Sequence, residues 1–197
     1  VLNGKKINDN KIKFYSYAKK EYLLQNQDYI IDLKFPYWLL YRDKFFDQVC
    51  KKMEFGAFNF FRDRQITKKH TLNKGKIRVL KSRNISNNNI ISLDGYDTYL
   101  NEINSFAVSK YLNKKNVYLV PNLTYYPRAC KLPENSIVDG SAALIFPKNN
   151  QIINNEQIEF FASDEFTNFY RIARNFGTRS LNIDRNSIFF WGLKKTG

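Results

Sequence analysis

The stretch that decides the fold reads Val117-Tyr118-Leu119-Val120-Pro121 and, after a loop and the turn Asp139-Gly140, Ala142-Ala143-Leu144-Ile145-Phe146-Pro147. Each half is a short apolar run, rich in β-branched and aromatic residues. Each is closed by a proline, which has no amide hydrogen to give to a sheet. From Glu156 the period changes. Ile158, Phe161, Phe166, Phe169, Tyr170 and Ile172 recur at three- and four-residue steps, the spacing of one helix face. Ser163-Asp164-Glu165 can cap a second helix inside this region, with acids in its first turn, Arg171 and Arg174 in its last, and Gly177 as its stop. Ser187-Ile188-Phe189-Phe190-Trp191 reads as a final strand.

Upstream, residues 1 to 20 are polar and basic, with turn signals at Asn3-Gly4 and Asp9-Asn10, and Lys13 to Tyr17 reads as a short strand. Tyr29-Ile30-Ile31-Asp32-Leu33 reads as a buried strand. Pro36 can open a helix, because the first turn needs no amide donor there. Trp38, Leu39, Phe45, Phe46, Val49 and Met53 then form an apolar stripe up to Gly56. Ile90 to Leu93 reads as a strand, Asp94-Gly95 as a tight turn, and Asp97 or Thr98 as the cap of a short helix. Val108 to Asn113 reads as helical, with Asn116 leaving it, and residues 148 to 155 as a polar loop. There is no internal repeat and no long linker. Residues 1–197 are therefore taken as a single domain, with 1–55 a lead-in strand and helix and 56–195 the core.

The chain has 197 residues, a formal charge of +14, a pI near 9.7, 43% hydrophobic residues and 16% aromatics. That aromatic content excludes a disordered chain, and the charge points to nucleic acid or another anionic surface. AT-rich coding by itself enriches Asn, Lys, Ile, Tyr and Phe, so local clustering carries more weight than the total. The two cysteines, Cys50 and Cys130, and the single histidine, His70, have no metal-ligand spacing, which argues against zinc and fits a reducing, cytoplasmic compartment. No apolar run approaches the roughly 18 residues that span a membrane. A start at Val1 with neither signal peptide nor initiator methionine, and an end at Thr196-Gly197, suggest a domain cut from a longer protein.

The clustering lies between Arg62 and Arg83, where nine Lys or Arg residues face one acid, Asp63. Among them stand Gln65, Thr67, His70, Ser82 and Asn84, side chains that can read hydrogen-bond donors and acceptors. The run ends in Ile77-Arg78-Val79, which alternates with the period of a half-buried strand, so the charges are expected on a strand and the loop before it. Arg62, Arg64, Lys68, Lys69, Arg78, Lys81 and Arg83 are candidate phosphate or base contacts. Gln65, His70, Asn84 and Tyr125 are candidate readers, and Arg128 joins Tyr125 and Tyr126 in the loop after Pro121. Taken singly, each is more often a surface polar residue; as a set they favour binding. Arg171, Arg174 and Arg179 can as readily satisfy carbonyls or acids as phosphates.

Several chemistries lack their motif. There is no phosphate-binding loop, no Gly-x-Gly-x-x-Gly, and no Asn/Asp-Pro-Pro-aromatic motif of adenine methyltransferases, which Asn122 to Pro127 only mimics. One catalytic alternative stands. Asp32-Leu33-Lys34, with Asp28 as a second acid, matches half of a metal-dependent nuclease site. An RNA-binding module, with the aromatics stacking on bases, is another alternative.

Phe61 to Thr67 followed by Ile77 to Ile85 resembles the start of the target-recognition domain of restriction-modification proteins. Tyr118 to Arg128 and Asp139 to Pro147 resemble its strand pair. Glu159 to Phe166, then Arg179 to Asn182 and Ile188 to Leu193, resemble its closing unit of two helices and a strand. The likeness covers about residues 55 to 195. It is nearest to the C-terminal specificity region of type IIS and type IIG adenine-specific DNA methyltransferases, and more distant from type I specificity subunits. The resemblance implies an α/β (α+β) recognition domain, a mixed sheet with packed helices, that reads a short duplex DNA site through loops in the major groove and is not itself an enzyme. It also implies a methyltransferase domain in the same chain or complex, with S-adenosylmethionine as the cofactor of that parent and none in this chain. It transfers no role to any single residue, because the base-contacting positions vary within the family.

Overall fold

The structure is a computed structural model that describes residues 10–149, 151–176 and 181–195. In chain order, β1 (Lys11–Ser16) and β2 (Glu21–Asn26) form a hairpin, followed by the helical turn α1 (Gln27–Ile30), helix α2 (Lys44–Lys51), β3 (Met53–Glu54) and β4 (Phe58–Phe61). The middle of the chain carries β5 (Ile77–Leu80), β6 (Ile85–Ser86), β7 (Asn89–Ile90), β8 (Thr98–Leu100), β9 (Tyr118–Pro121), β10 (Leu123–Thr124), β11 (Cys130–Lys131), β12 (Ser136–Val138) and β13 (Ala142–Pro147). Helices α3 (Asn155–Phe160) and α4 (Asp164–Ala173) and the short strands β14 (Leu181–Asn182) and β15 (Leu193–Lys194) complete it. Short 3₁₀ turns cover Ser82–Asn84, Ala107–Tyr111 and Ser187–Phe190. The fold is α+β. No helix of the described residues is long and apolar enough to cross a membrane.

The two runs that decided the sequence reading are neighbours. Strand β13 sits between β9 and β4 in an antiparallel sheet of order β11-β9-β13-β4, with Leu144 opposite both Leu119 and Phe61. Side chains alternate along a strand, so each face of this sheet collects every second residue. Phe58, Tyr118, Val120, Ala143 and Ile145 enter one core. Leu119, Ala142 and Leu144, flanked by Phe61 and Phe146, enter the other. With both faces covered, nearly every position of β9 and β13 is buried, which is why the sequence there is an unbroken apolar run.

Helices α2 and α4 cover the first face. Asp43 Oδ1 caps α2 by accepting from the Phe46 amide at 2.8 Å, and Ser163 Oγ caps α4 by accepting from the Phe166 amide at 3.0 Å. The Phe46 and Phe169 rings stack between the helices, 4.8 Å apart. A three-stranded sheet of order β12-β5-β8, with β5 parallel to β12 and antiparallel to β8, covers the second face through Ile77, Val79, Leu80, Leu100, Ile137 and Val138. Residues before 56 are part of the first core rather than only a lead-in. Leu39, Phe46, Val49 and Met53 are buried there, and β3 pairs with β15 at the other end of the chain.

Several sequence expectations are corrected. The helix begins at Lys44, not at Pro36, because the amides of Leu39 and Leu40 bond Ile30 O (2.9 Å) and Asn175 Oδ1 (2.7 Å), and Asp43 supplies the cap. Trp38 is left 46% exposed, outside the stripe. Tyr29 to Leu33 is not a strand: α1 ends at Ile30, and Asp32 Oδ1 closes a turn by accepting from the Lys34 amide at 3.0 Å. Of Ile90 to Leu93 only Ile90 pairs, because Ile91 O accepts from the side chains of Arg78 and Asn84. Neither Asp97 nor Thr98 caps a helix, since Thr98 opens β8 opposite Val79. Ser187 to Phe190 is a 3₁₀ turn, curled by Asp184 Oδ1 accepting from the amides of Asn186 (3.0 Å) and Ser187 (2.8 Å). The Asn3-Gly4 turn, Gly177 and Arg179 lie outside the described residues.

Phe46→Ala removes the ring that joins α2 to α4. Urea denaturation of this variant is expected to show an unfolding free energy lower by about 3 to 5 kcal/mol, with an unchanged slope.

Candidate nucleic-acid interface

The strand directions bring many loops to one end of the molecule. Strands β4, β5, β9 and β12 end there, and β8 and β13 begin there. The ends are tied to one another. The Ser82 amide donates to Ser141 Oγ at 3.1 Å, Ser82 Oγ donates to Ser141 O, and Arg62 Nε donates to Gly140 O at 2.9 Å. A Cβ at Gly140 would lie 2.7 Å from Arg64 Cγ and 2.9 Å from Asp63 O, so only glycine lets these two loops approach. With its amide oxygen turned toward Arg62, Asn122 accepts from that guanidinium at 2.9 Å and donates to Ile183 O at 3.2 Å. Burial and the like charge of Arg64 hold the Arg62 guanidinium below its usual value.

The basic segment leaves this end and crosses to β5 along a pinned path. The Gln65 amide carbonyl accepts from the Ala107 amide at 2.9 Å, and His70 Nδ1 accepts from the Thr67 amide at 3.1 Å while its ring lies 5.2 Å from Phe106. Ile66 is buried, and Leu72 bridges to Tyr99. Arg64, Lys68 and Lys69 are exposed, as are Lys74 and Lys76, and none has an acid partner among the described residues. Arg83 is also exposed, its guanidinium 5.0 Å over the Tyr96 ring, with Lys81 Nζ 4.6 Å over the same ring. Lys68 and Lys81 line one groove of about 1180 Å³, together with Thr67, Thr71, Asn73 and Asp94.

Other candidates from the sequence serve the fold instead. Arg78 donates to Asp97 Oδ2 at 2.6 Å and to Ile91 O at 3.1 Å, so its charge is already paired. Asn84 is 0% exposed: it donates to Asp97 Oδ1 at 2.6 Å and accepts from the Lys81 amide at 2.9 Å, and no base edge can reach it. Arg128 clamps four oxygens, on Ile85, Thr124, Tyr126 and Ser82, at 2.6 to 3.2 Å, and burial lowers its pKa. Gln65 and His70 are exposed, but each uses one polar atom to shape the basic loop. Lys81 Nζ donates to Tyr96 O at 2.7 Å. Tyr125 is 59% exposed and Tyr126 63%, and Arg171 lies beside both, donating to Tyr125 O at 3.4 Å with its guanidinium 5.8 Å over the Tyr126 ring. Arg174 binds Asp184 and Asn182 at 2.9 and 2.6 Å, the structural role weighed for it.

Of the nuclease candidates, Asp32 is engaged by its own chain. Asp32 Oδ2 is ion-paired with Arg42 at 3.0 Å, Arg42 also binds Asp47 at 2.7 Å, and Asp28 stands on the separate turn α1. The described residues hold no group of three or more His, Cys, Asp or Glu side chains placed to bind a metal ion. Burial pushes both thiols, Cys50 and Cys130, up to about 12, so neither is a nucleophile at neutral pH. No protein-family model matches the chain, and no curated protein matches it.

Asp97→Ala takes the carboxylate from the half-buried Arg78 guanidinium, which keeps only Ile91 O, and removes one of the two acceptors of the Asn84 amide, and calorimetry is expected to show a loss of about 3 kcal/mol. A second expectation concerns pH. Lys34 N holds the Asp32 carboxyl below its usual value against burial, with help from Arg42. Burial raises the Asp184 carboxyl, but Ser187, Arg174 and Asn186 outweigh it and leave the group lowered. A carboxyl lowered by folding stabilises the protein while ionised. That contribution is present above about pH 4 and lost as pH falls through the folded value, because the unfolded chain takes up the proton first. The urea midpoint is therefore expected to fall on acidification below about pH 4, and to fall less in Asp184→Asn.

Proposed function

We propose that this chain binds duplex DNA as the sequence-reading module of a restriction-modification adenine methyltransferase. In this reading it carries no chemistry of its own. A methyltransferase domain, in the same chain or complex, uses S-adenosylmethionine. One observation carries the proposal: Arg64, Lys68, Lys69 and Arg83 are exposed and free of acid partners among the described residues, on segments pinned by Gln65, His70, Leu72 and the Ser82–Ser141 contact. A cation already held in place loses little freedom when it meets a phosphate, and releases the counterion bound there. Tyr125 and Tyr126, just after β10, and Arg171 of α4 beside them add a contact with an aromatic and a cationic part. The likeness of residues 55 to 195 to target-recognition domains supports the same assignment.

Fluorescence anisotropy with a labelled duplex tests it. Binding to about six phosphates is expected to weaken roughly a thousandfold between about 50 and 200 mM salt. Replacing Arg64, Lys68, Lys69 and Arg83 together with Ala is expected to lower the salt slope by roughly 3 to 4 units and leave the melting temperature unchanged. A slope equal to that of the parent protein removes these four residues from the interface.

A further inference from the structure

The hairpin β1–β2 pairs with no other strand of the described residues, and its two faces differ. On one face Phe14 lies edge-on to Tyr41 at 5.5 Å and Gln25 Nε2 donates to Arg42 O at 3.2 Å, so this face is half-buried against the body. The register sets Lys11, Lys13 and Tyr15 across from Asn26, Leu24 and Tyr22 on the other face, and all six are exposed. Tyr17 extends that face at the turn and is 88% exposed. The Tyr15 ring lies 5.2 Å from both Tyr17 and Tyr22, edge-on to each, so the three rings form one continuous surface. Lys13 Nζ sits 4.9 Å over the Tyr22 ring. From Lys11 to Asn26 the hairpin carries four lysines, with Lys19 and Lys20 exposed at the turn, against one acid, Glu21.

Three tyrosine rings and Leu24 left in water form a contact surface rather than the scattered apolar residues of an ordinary exterior. The lysines give that surface a sign. Its partner is anionic, and it must offer flat apolar faces between its charges. Unpaired nucleotides have this composition. Inside a duplex the base faces are consumed by stacking on one another, whereas a single strand leaves them open to aromatic side chains. We propose that the outer face of this hairpin binds single-stranded nucleic acid, with bases stacked on Tyr15, Tyr17 and Tyr22 and phosphates neutralised by Lys11, Lys13, Lys19 and Lys20. This goes beyond the duplex reading and uses none of its residues, so either can fail without the other.

The test uses the full chain and two labelled oligomers of about twenty nucleotides, oligothymidylate and oligouridylate, at about 50 mM salt. The expected result is binding of one or both, weakened at least about tenfold when Tyr15, Tyr17 and Tyr22 are replaced together by Ala. The triple Phe variant keeps the rings and is expected to keep the affinity. Duplex binding is expected to be the same in all three proteins, and matching far-UV spectra establish that the fold is retained. Three results overturn the proposal. They are no binding of either oligomer, binding that the Ala variant leaves intact, or tyrosine-dependent binding to phosphatidylserine vesicles with neither oligomer bound, which assigns the face to a membrane surface.

Discussion

The structure depends on burying both sides of one strand. β13 gives alternate residues to two cores: Ala143 and Ile145 to the helical side, Ala142 and Leu144 to the side of the smaller sheet. A sheet exposed on one face can shift its register and lose only half its packing. A sheet covered on both faces cannot move by one residue without exchanging the contents of two cores. The loops at the ends of β4 and β9 are therefore held by packing on both sides, β5 is packed against one of those sides, and the position of the cations follows from the position of the sheet.

Within that frame the positive charge separates into two groups. Arg62, Arg78 and Arg128 point their guanidinium groups at carbonyls, a carboxylate or a carboxamide of their own chain. Buried donors of this kind join neighbouring segments because leaving them unmet costs more than bending a loop to meet them. Arg64, Lys68, Lys69 and Arg83 remain in solvent. The first group makes the loop end rigid and the second makes it attractive to anions. The stretch from Arg62 to Arg83 contains both, with the committed Arg62 and Arg78 on either side of a run of free cations.

This mixture marks the limit of what the sequence made legible. The runs that became β9, β13, α3 and α4, the strand at Ile77, and the cap at Ser163 depend on local periodicity and local capping, and were readable. The density of cations between Arg62 and Arg83 was readable too. Which of them are committed was not. The Arg78 carboxylate partner is set by the pairing of Val79 with Thr98, and Arg128 reaches back to Ser82 and Ile85, far earlier in the chain. The helix placed at Pro36 failed for the same reason, since the Leu40 amide is satisfied by Asn175, far along the chain. Ser187 to Trp191 has the composition of a strand but bends because Asp184 offers its amides a nearer acceptor. The hairpin was half visible: Lys13 to Tyr17 read as a strand, but nothing marked residues 21 to 26 as its partner.

The pairing of β3 with β15 has a consequence for the birth of the protein. Met53 finds Lys194 only after nearly all of the described chain has been made, and Trp191, just before β15, is buried among Phe161, Phe166 and Tyr170. β4 must likewise wait for β13, and β5 for β12. Most of the sheet contacts join distant parts of the chain, and closing such long loops is slow. During synthesis the phenylalanines of the first core therefore wait for partners made much later, and this architecture closes as a unit once residue 194 has emerged rather than piece by piece.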